Sequence, residues 1–464
     1  MVSDNKILGE AKISKLLLKF SIPCVMGLLI SALYNIVDQI FIGNSELGYL
    51  GNAATGVSFP VICIANALAW CVGDGAASYL SICAGRKDTE SAHKCVGNGI
   101  VVTILISVIL TILSLIFANP LMTAFGASSE TIDMAVEYFT ITAIFFQFYL
   151  LTSVTNSMIR ADGNPKYAML GISVGAIINI ILDPIFIYTF KWGIAGAAWA
   201  TVIGQVASCI VCLLYFLKPR SFKLSKKSFM LNKNIIKKTI QLGTATFIAQ
   251  ISIVVMNLVC NMTLAHYGEL SIYGKDITIS VFAIQTKVYT VVLNIVTGVV
   301  LGGQPIFGYN YGAGKMDRVK KAYKLVLLVT LLVGIVSTLI FQLFPQIVIS
   351  IFGSGDELYM EFAVKTFRIY LSLLTITSLV KMTAVFFQSI EKSVRAVISS
   401  VVRDIICFTP LAIILPMILE NNSPSTGING LLYAAPIADI IVLIVILILT
   451  ISFFKGIKNN QKSE

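Results

Sequence analysis

Charge is scarce in this sequence of 464 residues. Only 12% are Asp, Glu, Lys or Arg, where a soluble domain carries about 25%, so a soluble globular chain is excluded. There are two histidines, His93 and His266, and both fall at segment edges or loops, outside any metal-ligand spacing. No G-x-x-x-x-G-K-[ST] loop is present, nor a soluble stretch to hold one; nucleotide-driven work by this chain alone is not expected. No Ser/His/Asp or metal constellation points to an enzyme, and no cofactor is implied. The polar start MVSDNKILGEAKISK runs into a hydrophobic segment too long for a signal-peptide core, so no cleavable leader is expected. Eight of the nine Cys lie inside apolar segments and Cys95 at an edge, which argues against a secreted disulfide framework. Cys209-x-x-Cys212 sits mid-span without a second pair and reads as two small buried residues. The net charge of +11 therefore does not imply nucleic acid.

What the sequence has in abundance is apolar length. Hydrophobic residues make up 57%. Twelve segments can each span a bilayer, which takes about 20 apolar residues: 16–42, 56–82, 95–118, 136–160, 167–190, 194–217, 237–265, 277–308, 322–344, 360–388, 395–419 and 428–454. With the N-terminus inside, 27 of the 34 Lys and Arg fall in inner segments, from Lys6 to Lys462, and only Lys191 and Lys275 in outer loops. That bias places both termini in the cytoplasm. The most basic connection, Lys218 to Lys238, divides the chain into a six-helix bundle at 1–217, a cytoplasmic basic linker at 218–236 and a second six-helix bundle at 237–464.

The halves repeat. Gly73-Asp-Gly-Ala-Ala-Ser to Gly85 precedes a basic loop as Val300-Leu-Gly-Gly-Gln-Pro to Gly312 does. Ile159-Arg-Ala-Asp-Gly-Asn-Pro165 corresponds to Phe387-Gln-Ser-Ile-Glu-Lys-Ser393, and Gly193-Ile-Ala-Gly196 to Gly427-Ile-Asn-Gly430. Six spans is an even number, so both copies share one orientation. Paired halves of this kind are a transporter architecture with alternating access.

Polar residues inside spans carry the functional signal, because a charge at the centre of a membrane helix costs roughly 2.5–3.5 kcal/mol. In the first span Ser31, Asn35 and Asp38 share a face, with Tyr34 and Gln39 beside it and Pro23 in its first half. In the fifth, Gly171, Gly175, Asn179 and Asp183 form one stripe, small and then polar; the small residues admit a neighbouring helix. Pro184 follows and disturbs the backbone. The sixth offers Ala197, Ala200, Thr201 and Gly204. At 1.5 Å per residue, Asp38 lies about 7 Å from the outer end of its span, and Asp183 and Thr201 about 12 Å from theirs. Asp38, Asn179, Asp183 and Thr201 are therefore expected to meet at one level. Two carboxylates there cannot both be ionised cheaply. A proton relieves them, and so does Na⁺ held by the oxygens of Asp, Asn and Thr; no other metal site is expected. A hydrogen-bonded cluster that merely fastens three helices is the competing reading.

The second half departs from this pattern. The repeat sets Asp183 against Thr409, Asn179 against Ile405, and Thr201 against Ala435. Its own intramembrane charges are Lys287, Lys381, Arg403, Asp404 and Asp439, either a charge network or a substrate contact. Arg403 and Asp404 are adjacent, so they are expected on different faces with other partners. Asp439 lies at a depth similar to Lys287, and Lys381 and Asp404 share the inner half.

Asp38-Gln-Ile-Phe-Ile-Gly43, Arg160-Ala-Asp-Gly-Asn-Pro165, Asn179-Ile-Ile-Leu-Asp-Pro184 and Tyr309-Asn-Tyr-Gly-Ala-Gly314 together resemble the MATE (multidrug and toxic compound extrusion) transporters, in their prokaryotic DinF-like branch, over essentially the whole chain. The resemblance implies an all-α membrane protein of twelve helices, in two pseudo-symmetric bundles of six around a central cavity. It implies an antiporter that exports organic, often cationic compounds against an inward flow of H⁺ or Na⁺. Asp38, Asn179, Asp183 and Thr201 match the family's cation site, and Pro23 its first-helix proline, associated with bending. The NorM-like branch has acids in its seventh and tenth helices; here stand Gln250, Asn257, Asn261 and Lys381. The expected surroundings are the plasma (inner) membrane bilayer, a small organic substrate and no nucleic acid, with the chain a monomer. The alternative is a flippase for a lipid-linked or cell-wall precursor, which Lys287, Lys381 and Arg403 keep open.

Overall fold

The computed structural model describes residues 6–352, 356–422 and 425–460; Lys462, counted above on the inner side, lies outside the described residues. Among these the chain is helical, without a strand. A short α1 (Lys6–Glu10) leads into α2 (Ile13–Gly43), α3 (Gly48–Arg86), α4 (Thr89–Ile116) and the brief α5 (Ala118–Ala124). Next come α6 (Ile132–Ile144), α7 (Phe146–Ala161), α8 (Pro165–Pro184) with a π-helical continuation Ile185–Thr189, and α9 (Gly193–Tyr215). The second half holds α10 (Lys233–Leu270), α11 (Gly274–Gly312), α12 (Met316–Leu343), the brief α13 (Pro345–Ser350), α14 (Glu357–Tyr370) and α15 (Leu374–Ser389). It ends with α16 (Ser393–Val401), a π-helical stretch Val402–Phe408, α17 (Thr409–Asn422) and α18 (Gly427–Asn460).

Among the described residues, ten helices are long and apolar enough to cross a membrane, and twelve when each of two bent pairs counts as one span. The pairs are α6–α7, bent by 55°, and α14–α15, bent by 46°. The sequence reads 136–160 and 360–388 as unbroken, so the breaks are a correction. Neither is made by proline. In the first, the Thr111 hydroxyl of α4 donates to the Ala143 carbonyl at 2.9 Å. In the second, the Gln342 amide of α12 donates to the Arg368 carbonyl at 2.7 Å, and Ser372 N–H turns to Ile369 O instead. A side chain inserted into the helical ladder is a known cause of kinks. Long-range insertions of this kind carry no mark in the local sequence.

The chain divides into two compact units. Unit 1 comprises Met1–Gln250, Leu301–Ala322 and Gln388–Glu391; unit 2 comprises Ile251–Val300, Tyr323–Phe387 and Lys392–Glu464. Unit 1 thus takes in pieces of α10, α11 and α12. They reach it through glycines: a Cβ on Gly75 would strike Thr239 O, on Gly85 Tyr309 O, and on Gly243 Cys71 O. Residues 218–236 also belong to it. Asn98 donates to Ser228 O and Met230 O at 3.1 and 3.0 Å and accepts from Asn232 N–H.

The Tyr309–Gly314 motif holds the chain's start. Asn310 donates to Leu8 O at 3.0 Å, Lys315 to Gly9 O at 3.0 Å, and Arg318 to Ala11 O at 2.7 Å. These are the carbonyls that the end of α1 leaves open, and cations are the favourable partners there. Unit 2 is packed around Phe362, Phe367 and Phe408, all fully buried.

Candidate functional site

The site of interest lies in unit 1, where α8 and α9 touch backbone to backbone. A Cβ on Gly175 would collide with Gly204 O and Ser208 Oγ, and one on Gly171 would meet Cys212 Sγ. One turn on, this contact sets Asn179 opposite Thr201, the Asn179 amide reaching Thr201 Oγ1 at 3.4 Å and Asp183 Oδ1 at 3.2 Å. The π-helical turn after Pro184 carries Tyr188, whose hydroxyl donates to Phe41 O at 2.7 Å. That bond fixes the outer end of α2 and sets Asp38, one turn back, beside Asp183. The two carboxyl groups interact directly, and Gln39 also reaches Asp38.

All four residues of the expected cation site are thus brought together. Asp38, Asn179 and Asp183 are buried, the last completely, and Thr201 is half-buried. Three oxygens in this cluster, Asp38 Oδ1, Asn179 Oδ1 and Asp183 Oδ2, are buried without a hydrogen-bond donor. Buried acceptors left in that state are rare in native proteins. Sealed oxygens of this kind suit a proton or a hard cation, which is ligated by oxygen alone. Asn35, on the same nominal face as Asp38, is exposed and bonds back to Ser31 O. Pro23 is buried in α2, fifteen positions before Asp38.

Sequence reasoning missed Tyr138. It is buried on α6, its hydroxyl neighbours Thr201, and its ring lies within electrostatic range of Asp38 and Asp183. A phenol inside an apolar span was the available signal. It also missed a second buried network in unit 1. Arg160 Nη2 meets Asp74 Oδ1 at 3.2 Å, Ser157 donates to the same oxygen at 3.0 Å, and Gln304 donates to Ser78 Oγ at 3.0 Å. Arg160 is read above as an inner-segment cation; it is only 9% exposed, because Asp74 sits across from it on α3.

In unit 2 the charges fall differently from expectation. Arg403 binds Asp439 Oδ1 through Nε at 2.7 Å and Asp404 Oδ1 through Nη1 at 2.8 Å, and Thr377 donates to Asp439 at 3.2 Å. Arg403 and Asp404 therefore pair with each other, contrary to the reading from an ideal α-helix. The cause is the π-helical stretch Val402–Phe408, whose wider turn brings adjacent side chains closer in angle. The extra residue also lets Thr409 Oγ1 donate to Asp404 O at 2.7 Å. Asp439 pairs with Arg403 and not with Lys287. Lys287 is exposed and, among the described residues, has no ion-pair partner. Lys381 is half-buried on α15, one turn after Thr377.

The sequence profile of the MatE family matches residues 23–185 and 245–415. The multidrug export protein MepA of Staphylococcus aureus strain N315 is 26% identical over 435 residues, covering 93% of this chain and 92% of that protein. MepA of Staphylococcus haemolyticus is 24% identical, with 93% and 91% covered. Among solved structures, an outward-facing multidrug resistance MATE transporter of the MOP superfamily superimposes with a TM-score of 0.88 at 23% identity, covering 98% of this chain and 99% of that one. A MOP superfamily transporter from Pyrococcus furiosus, whose binding pocket has reverse polarity suggesting a different function, gives 0.89 at 22% identity, with 98% and 99% covered. A MATE protein in a bent conformation also gives 0.89, at 22% identity and 99% coverage of both chains.

Proposed function

The chain belongs to the MatE family, and from that premise we propose that it is a cation-coupled antiporter that exports organic, drug-like cations. The observation that carries this is the cluster of Asp38, Asn179, Asp183 and Thr201 with its three donorless oxygens. The MepA relatives are named as multidrug exporters, and the same class of cargo is proposed here.

In this reading one H⁺ or Na⁺ enters between Asp38 and Asp183. It cancels a negative charge that a low-dielectric site holds at high cost, and the oxygens of Asn179 and Thr201 complete its surroundings. Binding and release differ in the charge left on the pair, so each favours a different arrangement of α2 against α8. We assign the bending of α2 in this cycle to Pro23, whose missing N–H leaves a gap in the helical ladder, and that of α8 to Pro184 with its π-helical turn. A ligand shifts a two-state equilibrium only by its differential affinity; here that difference is one unit charge in a sealed site. No enzymatic activity and no cofactor beyond the transported ion are part of the proposal. The chain is placed in the plasma membrane as a monomer, with both termini cytoplasmic.

The test is transport into proteoliposomes of a cationic dye, driven by an imposed pH or Na⁺ gradient. Asp38→Asn and Asp183→Asn are each expected to lower coupled flux at least tenfold at normal protein levels. Unchanged flux in both variants refutes the assignment. Which gradient drives the native protein identifies the ion.

One observation favours a second reading. Lys287 is an exposed cation within a span, without an ion-pair partner among the described residues, and would suit a phosphate-bearing, lipid-linked cargo. A flippase is the better description if neither gradient moves any cationic dye.

A further inference from the structure

Four residues, Gln388–Glu391, belong to unit 1 although the helical residues on both sides of them belong to unit 2. They are the last two residues of α15 and the first two of the turn into α16, and together form its tip. Glu391 stands at φ +59°, the left-handed region, which is strained for a residue with a Cβ. The repeat-equivalent turn in the first half has Gly163 at φ +89°, where there is no such penalty. Strain of this kind persists where the surrounding structure needs the side chain. The need is visible in the contacts. Arg86 grips the carboxylate with both ends of its fork, Nη2 to Oε2 at 2.7 Å and Nη1 to Oε1 at 3.3 Å, and Lys238 meets Oε1 at 3.1 Å. Gln388 and the Thr246 hydroxyl add a bond at 3.0 Å. The tip also fits closely: a Cβ on Gly308 would press on Ser81 Cβ and reach Ser389 O.

We propose that the Gln388–Glu391 tip is a releasable clasp on the inner side, closed while Arg86 and Lys238 hold Glu391, and opened when the protein exposes its inner face. That it opens in a transport cycle rests on the export reading above; that the ion cluster holds the tip does not. The ion pairs are half-exposed, with side chains 39%, 19% and 43% accessible for Arg86, Glu391 and Lys238. They are therefore of the strength that a conformational cycle can break and remake. Protonation is not what breaks them. Burial alone would raise the Glu391 carboxyl, but Arg86 and Lys238 outweigh it and hold the group below the usual carboxylate range. A carboxylate held low keeps its contribution above its ordinary value and loses it only as pH falls through the lowered one. The other titratable groups that reach these three side chains are Tyr311, Cys83, Tyr79 under the Lys238 ammonium and Asp88 beside Arg86; the phenols and the thiol stay neutral in the physiological range and Asp88 stays ionised.

The test uses the full-length protein in nanodiscs. Ser81→Cys, a buried position beside the tip, serves as reporter in a background where the half-buried Cys63 and Cys71 are alanine. Labelling by a maleimide is followed without cargo or ion gradient. Glu391→Gln and Arg86→Gln are each expected to raise the labelling rate two- to tenfold, and the exchange Arg86→Glu with Glu391→Arg to return it to within twofold of the parent. Should Glu391→Gln fail to fold, Lys238→Gln and the exchange carry the same expectation. Unchanged labelling across these variants overturns the clasp, as does an exchange that restores nothing, or a lower melting temperature without faster labelling. Because the readout involves no transport, its failure leaves the export reading standing, and loss of dye export in Asp38→Asn leaves the clasp standing.

Discussion

Arg403→Gln tests how unit 2 tolerates its buried charges. The guanidinium is 6% exposed and bonds to Asp439, 2% exposed, at 2.7 Å and to Asp404, 15% exposed, at 2.8 Å. Removing it leaves two carboxylates in a sealed region with their shared cation gone. Breaking a buried ion pair from one side costs about 3–5 kcal/mol, because the orphaned charge stays behind. At about 1.4 kcal/mol per factor of ten, the folded population relative to unfolded falls on the order of a hundred- to a few thousand-fold. A second substitution that removes the stranded charge, Asp439→Asn in the Arg403→Gln background, is expected to recover at least half of that loss, since replacing a whole pair is often nearly neutral. The chain carries its own reporter for the assay. Cys407 is buried within the same π-helical stretch as Arg403, and Cys260 is a buried neighbour of Tyr370. With the seven other cysteines replaced by alanine, unfolding of the detergent-solubilised protein, followed by a thiol-reactive dye, reads this region directly. Two results refute the reasoning: Arg403→Gln within about 1 kcal/mol of the parent, or a double variant no more stable than the single one.

Gly175→Ala places a methyl against the Gly204 carbonyl and Ser208 Oγ. It is expected to cost about 1–3 kcal/mol of stability and to slow coupled export by parting Asn179 from Thr201. Gly56→Ala, inside α3 where a Cβ meets nothing within 4 Å, is the control: it is expected to leave export unchanged and to raise stability by about 0.5–1 kcal/mol, since Ala favours the helix over Gly. Arg318→Ala removes bonds to the carbonyls of Leu8 and Ala11. With a net value of about 1.5–3 kcal/mol for a charge-assisted bond in a sheltered place and less at the surface, tryptic cleavage after Lys12 is expected to speed up about tenfold; an unchanged rate removes α1 from the list of anchored elements.

Much of this fold was legible because the bilayer imposes a strict length on apolar runs. The spans, the repeat and the depth of Asp38, Asn179, Asp183 and Thr201 follow from counting residues along helices. The Gly171–Gly175–Asn179–Asp183 stripe told which face of α8 would be packed, since only small residues admit a helix so close. What stayed hidden depends on partners distant in sequence. The breaks at Phe145 and after Tyr370 arise from Thr111 and Gln342, each about thirty residues away. The Arg403–Asp404 pair was misread because a π-helical stretch changes the angle between neighbours, and nothing in Val402–Phe408 announces one. Arg160 looked like one more inner-segment cation until Asp74, 86 positions earlier, supplied its counter-charge.

These differences make the two halves unequal in a physically specific way. The repeat preserves geometry: a broken span at the same place in each half, π-helical turns in both fifth-span equivalents, and left-handed turns at Gly163 and Glu391. It does not preserve charge. In unit 1, among the described residues, no guanidinium is in contact with Asp38 and Asp183, and in the proposed mechanism their charge state is adjusted by an ion that comes and goes. In unit 2, Asp404 and Asp439 are held by a covalently tethered cation, Arg403, which cannot leave. Under the export proposal, the fixed cation keeps its site static and the pair without one is the site of the exchangeable ion. A direct comparison follows: placing a cation beside the first pair, by Thr201→Lys, is expected to lock unit 1 in one state, raising thermal stability while abolishing dye export. Loss of export with lowered stability, or retained export, counts against this division of roles.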